Sequence, residues 1–148
     1  MSLPIPLSPE DVTAEWLSQV LSKRWPGVRV AGVDLLDAHA GTTGRARIGV
    51  RYAGEPRGPD SLFIKLPPFD AAGREWVQST GMGRREARFY AELAAELPVR
   101  LPQPYFAAFD ESGAEYIMVL EDLAANGCSF PRPDDPGADE RARSVVEG

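Results

Sequence analysis

The chain predicts an α+β fold, a five-stranded antiparallel sheet with one helix before it and one helix inserted after its third strand. Three observations carry that expectation. Arg45–Tyr52 alternates polar residues at 45, 47 and 51 with apolar ones at 46, 48, 50 and 52, the period of a half-buried strand, and a glycine-bearing break separates it from a preceding strand-like segment. The short apolar run Ser61-Leu-Phe-Ile-Lys-Leu-Pro67 carries a single charge. Arg84–Leu97 has helical periodicity, and two more strand patterns follow it.

The first helix opens at Ser8-Pro-Glu-Asp11, with serine at the cap, proline at the first helical position and two acids in the first turn. Val12, Trp16, Leu17, Val20 and Leu21 form its stripe, and Trp25-Pro-Gly27 stops it. It is a packing element. Val28 to Asp37 reads as the first strand, Ala38-His-Ala-Gly-Thr-Thr-Gly44 as the break, and Arg45–Tyr52 as the hairpin's return. Ala53–Asp60 is a turn-rich connector, and Leu62–Leu66 is the third strand.

Phe69–Gly83 has weak periodicity. In the helix that follows, Ala87, Tyr90, Leu93, Ala94 and Leu97 share one face, extended by Phe89, and Pro98 ends it. Glu86 lies beside that stripe and leans toward the sheet. Pro104–Asp110 and Glu115–Glu121 are the last two strands, around a turn at Glu111-Ser-Gly113. Trp16, Trp25, Trp76, Phe89 and Tyr90 are read as core or partial core. Residues 1–123 thus form one lobe, while 124–148 hold an exposed proline- and acid-rich linker and a last helical segment, Ala138–Val146. Val145-Val146 would begin an apolar face that nothing within the chain covers, which predicts the front part of a longer protein.

At 148 residues the chain is the size of one ordinary domain, and 43% hydrophobic with 26% charged residues is a globular composition. Its 14 glycines and 14 prolines favour short elements with many turns. The net charge of −6 and a pI near 4.8 oppose a nucleic-acid footprint, because Arg84-Arg85 and Arg141 with Arg143 are surrounded by acids. A nucleotide needs only a few local donors and stays compatible. One cysteine, Cys128, excludes an intrachain disulfide and a multi-cysteine metal site. No run approaches the roughly 18 apolar residues of a membrane span, and the N-terminus has no leader pattern, so a cytoplasmic protein is expected.

The chemistry centres on Lys65, an ammonium on an apolar strand that asks for an anion. Two are in reach of the pattern. One is a phosphate held by the turn Gly41-Thr42-Thr43-Gly44, whose glycines can take positive dihedrals and whose threonines add donors. The other is Glu86, 21 residues further on. Each feature also has a plainer reading, since hairpins use glycine and a lysine near a strand end can snorkel to water. The turn is neither a phosphate loop of the G-x-x-x-x-G-K-[ST] kind nor a full G-x-G-x-x-G. Leu120-Glu121-Asp122-Leu123 reads as a strand that ends at a hinge, with backbone groups offered to an adenine edge. Adjacent acids on a strand point to opposite faces, so Glu121 and Asp122 are not a metal pair. His39 has no evident nucleophile partner.

Together, Ala40-Gly-Thr-Thr-Gly-Arg45, Phe63-Ile-Lys-Leu-Pro67, Arg85-Glu-Ala-Arg-Phe-Tyr90, Leu101-Pro-Gln-Pro-Tyr105 and Met118-Val-Leu-Glu-Asp-Leu123 resemble the aminoglycoside phosphotransferase and choline kinase-like superfamily, most of all its ecdysteroid-kinase-like branch. The resemblance covers about Ala31 to Leu123 and implies a protein-kinase-like N-terminal lobe. It implies ATP-dependent phosphoryl transfer to a small-molecule hydroxyl. Lys65 would hold the phosphates, Glu86 would pair with it, the Gly41–Gly44 turn would cover the phosphates, and the backbone of Glu121, Asp122 and Leu123 would meet adenine. A helical lobe with a His-Gly-Asp loop and the Mg²⁺ ligands should follow the hinge, and no such motif occurs after Leu123. The chain alone is therefore expected to bind nucleotide without transferring phosphate. The alternative is a non-catalytic nucleotide-binding or protein-interaction module that self-associates through its uncovered lobe face.

Overall fold

The computed structural model describes residues 3–147 and is α+β, with four α-helices and one five-stranded sheet. A 3-10 turn at Pro9–Asp11 precedes α1 (Ala14–Ser22). Then come β1 (Val30–Ala40), β2 (Gly44–Tyr52), β3 (Ser61–Leu66), α2 (Ala71–Thr80) and α3 (Met82–Glu92). A 3-10 turn at Ala94–Glu96 leads to β4 (Pro104–Phe109), β5 (Tyr116–Glu121) and α4 (Ala138–Glu147). All neighbouring strands are antiparallel in the order β1-β2-β3-β5-β4, so β5 returns between β3 and β4.

The first helix starts later than Ser8 suggests. Ser8 N–H and Oγ both donate to Asp11 Oδ2, at 3.1 and 2.9 Å, and this closes only the short turn. Thr13 is the cap of α1, its Oγ1 accepting from Trp16 N–H at 3.1 Å. Trp16, Leu17, Val20 and Leu21 of α1 are buried against Ala46, Ile48, Leu62, Ile64, Leu66, Ile117 and Val119 on one face of the sheet. Each such Leu or Ile, taken fully out of water, contributes roughly 1.5–3 kcal/mol. Strand alternation then points Ser61, Phe63 and Lys65 to the opposite face, where Val77, Ala87, Tyr116, Met118 and Leu120 form a second, smaller core under α2 and α3.

That second face differs most from the expectations. α2 fills the segment of weak periodicity: Asp70 Oδ1 accepts from Gly73 N–H at 2.7 Å at its start, and Gly81, with φ of 65°, ends it and opens α3. Val77 is its only buried residue, and Trp76 is 52% exposed, not core. α3 stops at Glu92, before the predicted Leu97, and leaves Leu93 and Leu97 exposed. Its close approach depends on Gly83, where a Cβ would stand 2.1 Å from Tyr116 Cε1. β1 runs on to Ala40 and takes His39 into the strand, opposite Arg45. No residue of α4 is buried, and no helix among the described residues is long and apolar enough to cross a membrane.

Candidate functional site

Lys65 Nζ donates to Glu86 Oε1 at 2.5 Å. Strand period turns Lys65 toward α3, and the register of α3 that buries Gly83 and Ala87 turns Glu86 toward the sheet. Both side chains are partly buried, the lysine 19% and the glutamate 31% exposed, so the pair is anchored in protein and still open to a ligand. Tyr90 stands one turn beyond Glu86. Burial, with the Glu86 carboxylate second, pushes its hydroxyl above the ordinary value of 10.0.

The ion pair closes one end of a cavity of about 230 Å³ whose walls include Phe63, Tyr90, Leu120 and Leu123. Phe63 lies opposite Leu120 in the β3–β5 register, which makes the middle of the cavity apolar. Arg47 and Phe63 also line an adjoining hollow of about 380 Å³ over β1 and β2, together with Asp37, His39 and Arg45. Arg45 pairs with Lys65 across β2 and β3, and paired residues share a face. One surface therefore offers an apolar slot at the β5 end and, at the hairpin end, Arg45 beside Lys65 with Asp37 in the same hollow.

The glycine turn behaves differently from its expected role. Neither Gly41 nor Gly44 has a positive φ, and Gly41 N–H donates to Thr43 O at 3.2 Å. Gly44 is required for another reason: a Cβ there would lie 2.6 Å from both Phe69 Cε1 and the Pro67 carbonyl oxygen. Thr43 and Gly44 are buried while Gly41 and Thr42 are exposed. None of the four lines the Lys65 cavity, although Arg45, next in sequence, lines the hollow beside it.

Glu121, Asp122 and Leu123 do line the cavity with Lys65 and Glu86, but both carboxylates are spent on structure. Asp122, 3% exposed, accepts from Arg47 Nε at 3.2 and 3.1 Å on its two oxygens, from Arg47 Nη2 at 2.9 Å and from Ser61 Oγ at 2.8 Å. Burial pushes its acidity toward the neutral form, and the Arg47 and Ser61 hydrogen bonds outweigh that, so its pKa lies below the usual 3.8. Glu121 accepts from Arg100 Nη1 and Nη2 at 2.9 and 2.7 Å, from Gln103 N–H at 3.0 Å and from Asn126 Nδ2 at 2.8 Å. Arg100 first, then Gln103, holds it at about 2.

The hinge backbone is partly spent as well. Glu121 N–H donates to the Gln103 carbonyl at 2.8 Å, and the Leu123 carbonyl accepts from Asn126 and Cys128 at 3.2 and 3.0 Å. The Leu123 N–H has no acceptor among the described residues and remains available to a ligand. No three His, Cys, Asp or Glu side chains among the described residues group to hold a metal ion.

Arg45, Arg47 and Phe63 went unremarked as site residues in the sequence. The polar alternation of β2 looks like a solvent face, and only the β2–β3 register sets Arg45 beside Lys65 and Arg47 beside Phe63. Phe130, from the linker, also lines both hollows. Comparison with protein-family models, curated proteins and solved structures finds no match to this chain.

Proposed function

We propose that this chain is the nucleotide-binding lobe of a kinase that transfers the γ-phosphoryl group of ATP to a hydroxyl of a small molecule. The observation that carries the reading is the Lys65–Glu86 pair in an apolar slot, with Arg45 beside Lys65 on the same face. A carboxylate that holds a lysine in place lets the ammonium meet phosphate oxygens without first being ordered. In this reading the five-stranded sheet with α3 over β4 and β5 is a kinase-like N-terminal lobe.

The residues fit ATP. The slot between Phe63, Tyr90 and Leu120 accepts a flat base, the Leu123 N–H offers it one hydrogen bond, and Lys65 with Arg45 faces the phosphates. Bound there, ATP would supply the transferable phosphoryl group. Lys65 would neutralise phosphate charge, and Glu86 would keep the ammonium in register with it. The described residues supply no group of three His, Cys, Asp or Glu side chains for a metal and no evident base for the acceptor hydroxyl, and in this reading their part is to bind and orient the nucleotide.

Titration of a non-hydrolysable ATP analogue into the chain, followed by calorimetry, tests this. Weak saturable binding is expected, at least tenfold weaker in Lys65→Ala and clearly weaker in Glu86→Gln. Equal binding by the parent chain and Lys65→Ala would remove the phosphate role and the reading with it.

A further inference from the structure

A second cationic cavity lies on the far side of α3. It has a volume of about 380 Å³ and is lined by Arg84, Arg85 and Arg88, with Gln78 to Gly81 and the Ser112-Gly113 turn completing its walls. No carboxylate lines it, although the chain as a whole carries a net charge of −6. At about 100° per residue the three arginines fall within roughly 100° of one another, while Glu86 points about 160° from Arg84 and Arg88 and about 100° from Arg85. Arg84 and Arg88 therefore stand on a different side of α3 from Glu86.

The guanidinium groups are partly preset. Arg84 Nη1 donates to the Glu111 carbonyl at 2.6 Å, and its stem packs over Gly113, where an added Cβ would meet Arg84 Cβ at 3.5 Å. Arg88 pairs with Glu92 at 2.8 Å, an exposed i,i+4 contact that a stronger anion can displace, and the Glu111 carboxylate also acts on it. Arg84 and Arg85 form no salt bridge among the described residues. The first turn of α3 contains no acid, so Arg84 and Arg85 add to the positive end of the helix dipole instead of compensating it. The hydroxyls of Ser79 and Thr80 donate to the carbonyls of Trp76 and Val77, which leaves the arginines, with the Gln78 amide, as side-chain donors.

We propose that this arginine-lined cavity binds a phosphate group, at a site separate from the nucleotide cavity. A dianion with three acceptor oxygens matches several guanidinium forks, whereas a carboxylate would engage one. The site does not depend on the kinase reading, because it shares no lining residue with the Lys65 cavity.

The test is titration of the full chain with inorganic phosphate and, separately, with O-phosphoserine at constant ionic strength, followed through backbone amide shifts. Saturable shifts at residues 79–88 and 112–113 are expected in both the parent chain and Lys65→Ala. The double variant Arg85→Gln/Arg88→Gln alters exposed side chains and should keep a dispersed spectrum while binding at least tenfold more weakly. Phosphoserine binding tenfold tighter than phosphate would identify a phosphomonoester on an organic carrier as the occupant, and equal binding would identify the free ion. Absence of saturation, unchanged binding in the double variant, or loss of binding in Lys65→Ala would each overturn the proposal.

Discussion

Arg47 on β2 holds Asp122, 75 residues away at the end of β5, through three hydrogen bonds that pass beside β3. Ser61 at the start of β3 adds a fourth at 2.8 Å. The pair joins three strands at the place where the chain leaves the sheet, so the position of Leu123 and its free N–H depends on it. Arg47 also walls both hollows.

Replacing Arg47 with methionine keeps the apolar stem and leaves Asp122 buried with Ser61 as its remaining side-chain donor. Breaking a fully buried ion pair costs about 3–5 kcal/mol, and Arg47 is 35% exposed, so a loss of about 2–3 kcal/mol is expected. Urea unfolding at neutral pH measures it. A change below about 0.5 kcal/mol would show that Asp122 finds water in place of Arg47, and that the pair is not what fixes the end of β5.

Gly83→Ala tests the seat of α3. The new methyl would stand 2.1 Å from the Tyr116 ring, and Tyr116 is itself buried at the centre of the second core, so the helix must lift or the ring must turn. A loss of about 2–4 kcal/mol is expected, at the upper end of overpacking costs because the neighbour is a ring with no free rotamer space. Lifting α3 also withdraws Glu86 from Lys65. ATP-analogue affinity should therefore fall together with stability, and a destabilised variant with undiminished affinity would separate the ion pair from nucleotide binding.

Much of this arrangement is legible in the residues because its signals are local. Lys65 alone is charged among apolar neighbours, β2 alternates cleanly, and Glu86 precedes the buried Ala87. What stayed hidden is set by contacts distant in sequence. The Arg47–Asp122 pair has no local signature, and the arginines of β2 became site residues only once the register placed them beside Phe63 and Lys65. α2 was missed because a helix with one buried residue has no stripe, although its caps, Asp70 and Gly81, stand in the sequence. Leu93 and Leu97 extended the stripe of α3 on paper, but the helix had already ended and they face outward. At Gly44 the expected freedom of the backbone gave way to a steric need, space for Phe69 and the Pro67 carbonyl.

The acid limb of stability should carry a mark of Glu121. Its carboxyl is held at about 2 in the folded chain against an ordinary 4.5, so the group binds a proton more readily when unfolded. Its contribution is complete above pH 4.5 and is lost as the pH falls toward about 2. Allowing for the exposure of Arg100, about 1–2 kcal/mol is involved. Arg100→Gln should lower stability at neutral pH and converge on the parent chain near pH 2. Parallel curves for the two proteins would show that Arg100 is not what depresses Glu121.

Tyr116 offers the opposite sign. Its side chain is 1% exposed, and its hydroxyl is the one buried side-chain polar atom without a hydrogen-bond partner among the described residues. Burial, with Glu86 second, pushes it to about 12 from an ordinary 10.0. A raised pKa means that the protonated form is the one the fold favours. The contribution is complete below pH 10.0 and is lost as the pH rises toward about 12. Tyr116→Phe keeps the ring against Gly83 and Ala87 and removes a donor that nothing accepts. Since an unsatisfied buried hydroxyl costs roughly 1–3 kcal/mol, the variant should be as stable as the parent at neutral pH or more stable by about 1 kcal/mol. It should also outlast the parent above pH 10, where unfolding of the parent releases the phenol proton and so is favoured by rising pH. Thermal unfolding across that range reads both effects, and a loss of more than 1 kcal/mol on removing the hydroxyl would show that it has a bonding partner after all, with Glu86 the nearest charge to supply one.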